Sequence, residues 1–321
     1  MTLKELTFSD IYLGAHGAAW LSGVPGTLDP VQPPAEVQPE LNDLRSECEA
    51  YRNRFPDRED FPLRKGEISY RVSVMRSINE VVFVLRRLND KVAGISELGI
   101  PGGIVEMMMA PNLRGLFVIS GTFGQGKTTT ASALVASRLA KYGGVAVTVE
   151  EPPEMPLEGR HGEGVCYQTW VEPGKFSHAC RQVARWAPSI IFLGEVRDDE
   201  TALEALRASI NGRLVVCTTH ADNCAMAVER IFALASANDS SADDVLSMLA
   251  TGLCAVVHQR LDPAPAGGRR QLSVDPLFLT GEDSYAIRAV IRQRKFDQLK
   301  NSVQLQKNRM ILAKGRLPNA A

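Results

Sequence analysis

The sequence predicts an α/β protein with a mainly parallel sheet, preceded by a smaller α+β region. Three observations carry this expectation. Between residues 115 and 220, short continuous apolar runs alternate with amphipathic stretches, the pattern of a parallel sheet covered by helices. A glycine-rich stretch, GTFGQGKTTT from Gly121 to Thr130, lies between one such run and one such amphipathic stretch. Upstream of Val92 the apolar residues instead follow period two, as in ISYRVSVM.

At 321 residues the chain has room for about two domains. We place the boundary near Val92, giving domains 1–92 and 93–321. In the first, five prolines between Pro25 and Pro39 predict extended loop, and residues 41–54 a helix. ISYRVSVM and VVFVLRRL read as strands, and NDKVAGISELGIPGG as a linker whose hinge is Asn89 to Gly94. A helix follows near Ile104 to Met109, its Met run serving as packing. GLFVIS (115–120) is a buried strand. The segment from Lys127 places Ala131, Leu134, Val135 and Leu139 on one helical face and stops at Gly143 and Gly144. VAVTVE (145–150), SIIFLGE (189–195) and RLVVCTTH (213–220) are further strands. Helices lie between them: Phe176, Ala179, Cys180, Val183 and Ala187 keep helical spacing, and DDETALEALRASING starts acidic and ends at Gly212.

A net charge of −1 supplies no basic field for a nucleic acid backbone. No apolar run reaches the ~18 residues of a membrane span, and MTLKELTFSD lacks the apolar core of a secretory signal. The six cysteines form no C-x-x-C pair and read as reduced, buried thiols.

The glycine-rich stretch contains G-x-x-x-x-G-K-[ST], follows an expected strand and opens an expected helix, the setting of a P-loop. Glycines 121, 124 and 126 let backbone N–H groups turn toward phosphate oxygens. Thr122, Gln125 and Thr129 complete the expected nucleotide-binding set. Lys127 is expected to reach the β- and γ-phosphates of ATP, and the Thr128 hydroxyl to ligate Mg²⁺. Glu150 and Glu151, Glu195 and His220 each end a strand, so they fall at the same sheet edge as the loop. Alone, each carboxylate would be a capping or ion-paired residue and His220 a satisfied strand end. Together they are candidates to orient and deprotonate a water, Glu150 and Glu195 as base or metal-shell acid and His220 as a γ-phosphate sensor.

GTFGQGKTTT, VTVEEPPE, APSIIFLGEVRDDET and VVCTTHADN, in this order, resemble the Walker A, Asp box, Walker B and His box of the secretion and pilus traffic ATPase superfamily. Within it the chain looks most like the PilT-like retraction and DotB-like type IV secretion ATPases. FSDIYLG, ISYRVSVM and residues 275–299 are similar to terminal segments of that branch, which extends the resemblance over most of the chain.

The resemblance implies a RecA-like P-loop ATPase core (α/β) preceded by an α+β PAS-like N-terminal domain. It also implies a homo-hexameric ring with ATP bound between the domains. On that basis Glu150 is the catalytic glutamate, Glu195 the Walker B acid and a metal-shell residue with Thr128, and His220 the His-box residue. Arg71 and Arg86 match arginines that approach the nucleotide; otherwise each is a solvated strand residue. The implied activity is ATP hydrolysis driving pilus retraction or a type IV secretion or conjugation machine. The implied location is cytoplasmic, peripheral at the inner membrane face, docked on a membrane-platform protein. The locally basic stretch 287–316 is either that docking surface or a solvated helix face.

Three departures stand out: Glu151 for the usual Asp, Ser189 for the Asp before the Walker B strand, and Asn79 where an arginine is common. Missing C-x-x-C pairs point away from the extension-motor branch. Two rival readings remain, a RecA-like nucleic acid motor and a nucleotide-gated assembly factor with weak hydrolysis.

Overall fold

The computed structural model describes residues 1–66, 68–88, 91–172, 174–237, 241–262 and 271–314, with the backbone alone for 311–314. It divides into two compact units. The first comprises Met1–Lys91 with Pro152–Pro156, the second Val92–Glu151 with Leu157–Ala321.

The first unit is an antiparallel sheet with one long helix. Its strands are β1 (Asp10–Leu13), β2 (Ala19–Ser22), β3 (Asp60–Lys65), β4 (Ile68–Arg76) and β5 (Val81–Arg87), in the order β2-β1-β5-β4-β3. Helix α1 (Gln38–Arg54) buries Leu41, Leu44 and Cys48, one helical face. It meets the sheet through Tyr51, which stacks on Phe61 with ring centroids 4.1 Å apart, and through Arg45, whose Nη1 donates to Leu13 O at 3.0 Å. The helix starts earlier than the proline pattern suggests. Pro39 sits in its first turn, where a missing N–H costs no helical bond.

The second unit holds α2 (Gly102–Met108), β6 (Gly115–Ser120), α3 (Lys127–Tyr142), β7 (Gly144–Glu150), β8 (Gly159–His161), β9 (Gly164–Trp170), α4 (Phe176–Val183) and β10 (Ile190–Leu193). It continues with α5 (Asp199–Ile210), β11 (Leu214–Thr219), α6 (Cys224–Ala235), α7 (Ala242–Gly252), β12 (Leu253–Asp262), β13 (Gln271–Phe278), α8 (Ser284–Arg292) and α9 (Leu299–Lys314). The sheet order is β13-β12-β6-β11-β10-β7-β9-β8, parallel from β12 to β9 with an antiparallel strand at each edge. Alternation within the strands sorts their side chains onto two faces. Leu116, Val118, Val149, Leu193 and Cys217 pack with α4 to α8, while Phe117, Ile119, Phe192 and Val216 pack with α2 and α3. Burial on both faces explains why these strands read as unbroken apolar runs. Asp198 caps α5 by accepting from Thr201 N at 2.8 Å, which accounts for the acidic start of that helix.

Some expectations change. Of the supposed linker, Asn89 and Asp90 lie outside the described residues, but Ile95 to Leu98 form a 3-10 turn with Ile95 and Ile100 buried in the second unit's core. The apolar side chains there make it part of that unit rather than a loose connection. Ala187 falls outside α4, after a 3-10 turn, at φ 52°. All six cysteines are buried and unbridged, and burial pushes the Cys48 thiol up to about 12. In the basic C-terminal stretch, Lys300, Lys307 and Arg309 pair with Asp297, Asp275 and Asp283. Arg288 donates to the carbonyls of Thr251 and Leu279, and Arg294 lies over the Phe232 ring. Much of that charge is therefore spent within the unit; residues 315 and 316 lie outside the described residues. Among the described residues no helix is long and apolar enough to cross a membrane.

Candidate functional site

The site grows from the point where β6 stops. Ser120, the last residue of β6, is in register with Thr219 at the end of β11 and with His258 on β12. The chain then turns through Gly121 to Gly126 and enters α3. Gly121 has φ 159°, and a Cβ there would meet Gln259 O at 2.6 Å, so only glycine lets the loop run this close to β12. Gly126 is the N-cap of α3 in the left-handed region at φ 76° and makes no side-chain cap bond. The first N–H groups of α3 are thus left without a side-chain acceptor, and the dipole of a sixteen-residue helix points at the same place.

Lys127 opens α3 and folds its Nζ back over the loop, donating to Gly121 O at 2.9 Å and Thr122 O at 3.0 Å. Thr128 and Thr129 follow in the first turn, half-buried, while Thr122, Phe123 and Gly124 are exposed at the tip. Gln125 lies in the same loop, half-buried. Its side chain turns away from the cradle, its Oε1 accepting from Leu261 N on β12 at 2.5 Å. Gln259 replies from the same strand, its Nε2 donating to Gln125 O at 2.5 Å. Gln125 is thus a tie between loop and strand, and only its backbone is left to face an anion.

The other polar groups come from neighbouring strand ends. Glu150 ends β7, is 1% exposed, and accepts from Gln168 Nε2 of β9 at 2.8 Å. Gln168 is itself held, its Oε1 accepting from Leu157 N at 3.2 Å. Gly194, after β10, lies beside this side chain: a Cβ there would make ordinary van der Waals contact with Glu150 Cγ, at 3.4 Å. Glu195 lies two residues beyond the observed end of β10, not within it. Its Oε2 accepts both Arg197 Nε at 2.7 Å and Arg197 Nη2 at 2.6 Å. His220 follows β11 directly. Ser189 lies at the opposite, amino-terminal end of β10, where its Oγ donates to Val145 O at 2.9 Å. That departure from the superfamily pattern is therefore remote from the loop.

Behind the loop, His258 Nδ1 lies 3.3 Å from Ser120 Oγ. Burial holds the His258 pKa below its ordinary value, with Arg260 and Lys127 acting in the same direction against Asp275 and Asp222. The hydroxyl of Thr219 and Oε1 of Gln259 are buried without a partner among the described residues. A glycine cradle, an uncapped helix end, a lysine over the loop and unfilled polar atoms at its base suit a nucleotide phosphate chain. Among the described residues no group of three His, Cys, Asp or Glu side chains could hold a metal. Mg²⁺ would thus need phosphate oxygens beside Thr128 and Glu195, its ordinary mode in such sites.

In the first unit Arg71 on β4 and Arg86 on β5 are directly opposed across the ladder, which puts both on one face. Acids offset the like charges. Asp10 takes Arg86 Nε at 2.8 Å, raising the guanidinium pKa through that hydrogen bond, and Asp60 lies 4.0 Å from Arg71 Nε. Sequence reasoning missed Gln168, Arg197 and Gln259. GVCYQTW and LCAVVHQRL carry the same apolar-run signal as the strands that it did find.

Residues 30–315 match the model of a family described as type II/IV secretion system protein. The chain belongs to that family. This secretion-family chain is 32% identical over 220 residues to the type IV pilus ATPase PilU of Pseudomonas aeruginosa, covering 67% of itself but only 56% of PilU. The chain thus spans little more than half of that relative's length. It is 30% identical over 240 residues to the type IV pilus retraction ATPase PilT of the same organism, covering 74% of itself and 67% of PilT. Its structure is similar to that of the pilus retraction motor PilT with bound ADP, with a TM-score of 0.77 at 27% identity over 94% of this chain and 87% of the other. It also shares the fold of the Legionella pneumophila ATPase DotB, with a TM-score of 0.72 at 21% identity over 93% and 85% of the two chains.

Proposed function

We propose that the chain is an ATP-hydrolysing motor that works as a homo-hexamer on a type IV pilus or type IV secretion machine. The observation that carries this reading is the convergence of the glycine loop, Lys127, Glu150 and Glu195 at one edge of one parallel sheet. The strand order β12-β6-β11-β10-β7 supports a RecA-like core, and the antiparallel sheet with α1 supports a PAS-like first domain. The names of the family relatives support ATP as the substrate.

The chemistry follows from the residues. Backbone N–H groups of the loop and of the first turn of α3 bind the phosphates, and Lys127 exchanges its loop carbonyls for phosphate oxygens. Glu150, fixed by Gln168, orients a water and takes its proton as that water attacks the γ-phosphorus and the bond to ADP breaks. Mg²⁺, held beside Thr128 and Glu195, would neutralise charge on the phosphates. His220 reads the γ-phosphate, and Arg71 and Arg86 supply further cationic charge. Force is delivered to a platform protein at the cytoplasmic face of the inner membrane.

Lys127→Ala tests the loop. Charge-assisted bonds are worth about 1.5–3 kcal/mol each, so ATP affinity should fall at least about tenfold while the melting temperature holds. Unchanged ATP affinity in the presence of Mg²⁺ would refute the P-loop assignment.

A further inference from the structure

At the other end of the same sheet lies a second cleft. It opens where β6, β7, β10 and β11 begin, the end opposite the glycine loop, and has a volume of about 370 Å³. That is within the usual size range of small-molecule pockets, about 300–1,000 Å³. Its lining includes Arg114, Arg138 and Arg213 and no carboxylate.

Arg138 is the anomaly. It is 5% exposed, and its Nη1 donates to Met108 O at 2.9 Å and Ala110 O at 3.0 Å. Those carbonyls satisfy the donor and the Tyr142 ring lies 5.2 Å from its Cζ, but no carboxylate meets the charge. Burial holds its pKa below the ordinary value, and the groups that pull it back up are Tyr142 and Cys254, neither of them a carboxylate. None of the described residues forms an ion pair with Arg138. A buried cation is normally paired, because an uncompensated charge out of water is costly. Here the charge sits in the wall of a cleft, with Arg114 and Arg213 beside it. The neighbouring hydroxyls are already spent as donors, Ser189 on Val145 O and Tyr142 on Met109 O. Recognition therefore falls to three guanidinium groups, whose planar forks suit phosphate oxygens.

We propose that this cleft is a binding site for a small phosphate-bearing molecule, separate from the P-loop. The two sites share α3, with Lys127 at its first turn and Arg138 eleven residues on, about 16 Å along the axis. Occupancy of one end of this helix is thereby placed to bear on the other.

Pyrophosphate is a suitable probe, and Lys127→Ala protein silences the loop so that calorimetry reads the cleft alone. The expected result is saturable binding that weakens with added salt. It should fall at least tenfold in Arg114→Ala/Arg213→Ala and recover in large part in Arg114→Lys/Arg213→Lys. Neither residue is in the core, and thermal melting checks that each variant is folded. Absence of saturable binding in the Lys127→Ala protein would overturn the proposal, as would equal affinity in the double alanine variant. So would a double variant whose assembly size changes while pyrophosphate uptake does not, since a carboxylate of a second copy would then be the occupant.

Discussion

Glu150 is a carboxylate with 1% exposure, and a carboxylate that deeply buried is stable only if something holds it. Gln168 is that support, at 2.8 Å, and it fixes the orientation in which an oxygen can meet a water. Gln168→Leu should lower kcat about tenfold or more and leave the affinity for ATP near its original value, because the amide acts on the base and not on the phosphates. Stopped-flow binding and steady-state turnover separate the two, and a weakened affinity with intact kcat would contradict this role. His258 sets a pH dependence of stability. Its pKa is lowered in the folded protein, so below its ordinary value of about 6.5 the unfolded chain takes up the proton more readily. Its contribution is present above that pH and is lost as pH falls through the lowered value. Between pH 7.5 and 5.5 the urea midpoint of the protein should drop more than that of His258→Gln; equal drops would contradict the assignment. Glu150 could be read from the sequence because it ends an apolar run beside a P-loop. Gln168 could not, because a glutamine in a strand carries no mark until the register puts β9 beside β7.

The loop and its two flanking elements, β6 and α3, are the part most plainly written in the sequence, since apolar periodicity and glycine placement are local signals. The element that shapes the loop is not local. Gln259 and Leu261 of β12 hold Gln125 from 134 and 136 residues away, and the same strand passes so close that Gly121 admits no side chain. The apolar run of β12 is legible as a strand, but its pairing with β6 joins residues more than 130 positions apart and leaves no local mark. Gln259→Leu tests the tie. It removes the bond to Gln125 O and with it an acceptor, Oε1, that is buried without a partner. The two effects on folding oppose each other, so the melting temperature should move little. The loop loses its anchor, and the dissociation constant for ATP should rise several-fold. A large loss of stability with unchanged ATP affinity would show Gln259 to be core packing only.

Across the whole molecule, two sheets of opposite character carry the two sets of candidate residues. The antiparallel one aligns Arg71 with Arg86, and the parallel one collects the loop, Glu150, Glu195 and His220. The change from period-two strands to continuous apolar runs marks this division in the sequence, because one sheet is covered by helix α1 and the other by helices on both faces. The central claim is that this edge of the parallel sheet hydrolyses ATP with Glu150 as the base. Phosphate release by the purified protein and by Glu150→Gln, with ATP binding measured in parallel, tests it most directly. The account predicts that Glu150→Gln binds ATP as well as the parent and loses turnover by about a hundredfold or more. Turnover by Glu150→Gln at the parent rate would contradict it.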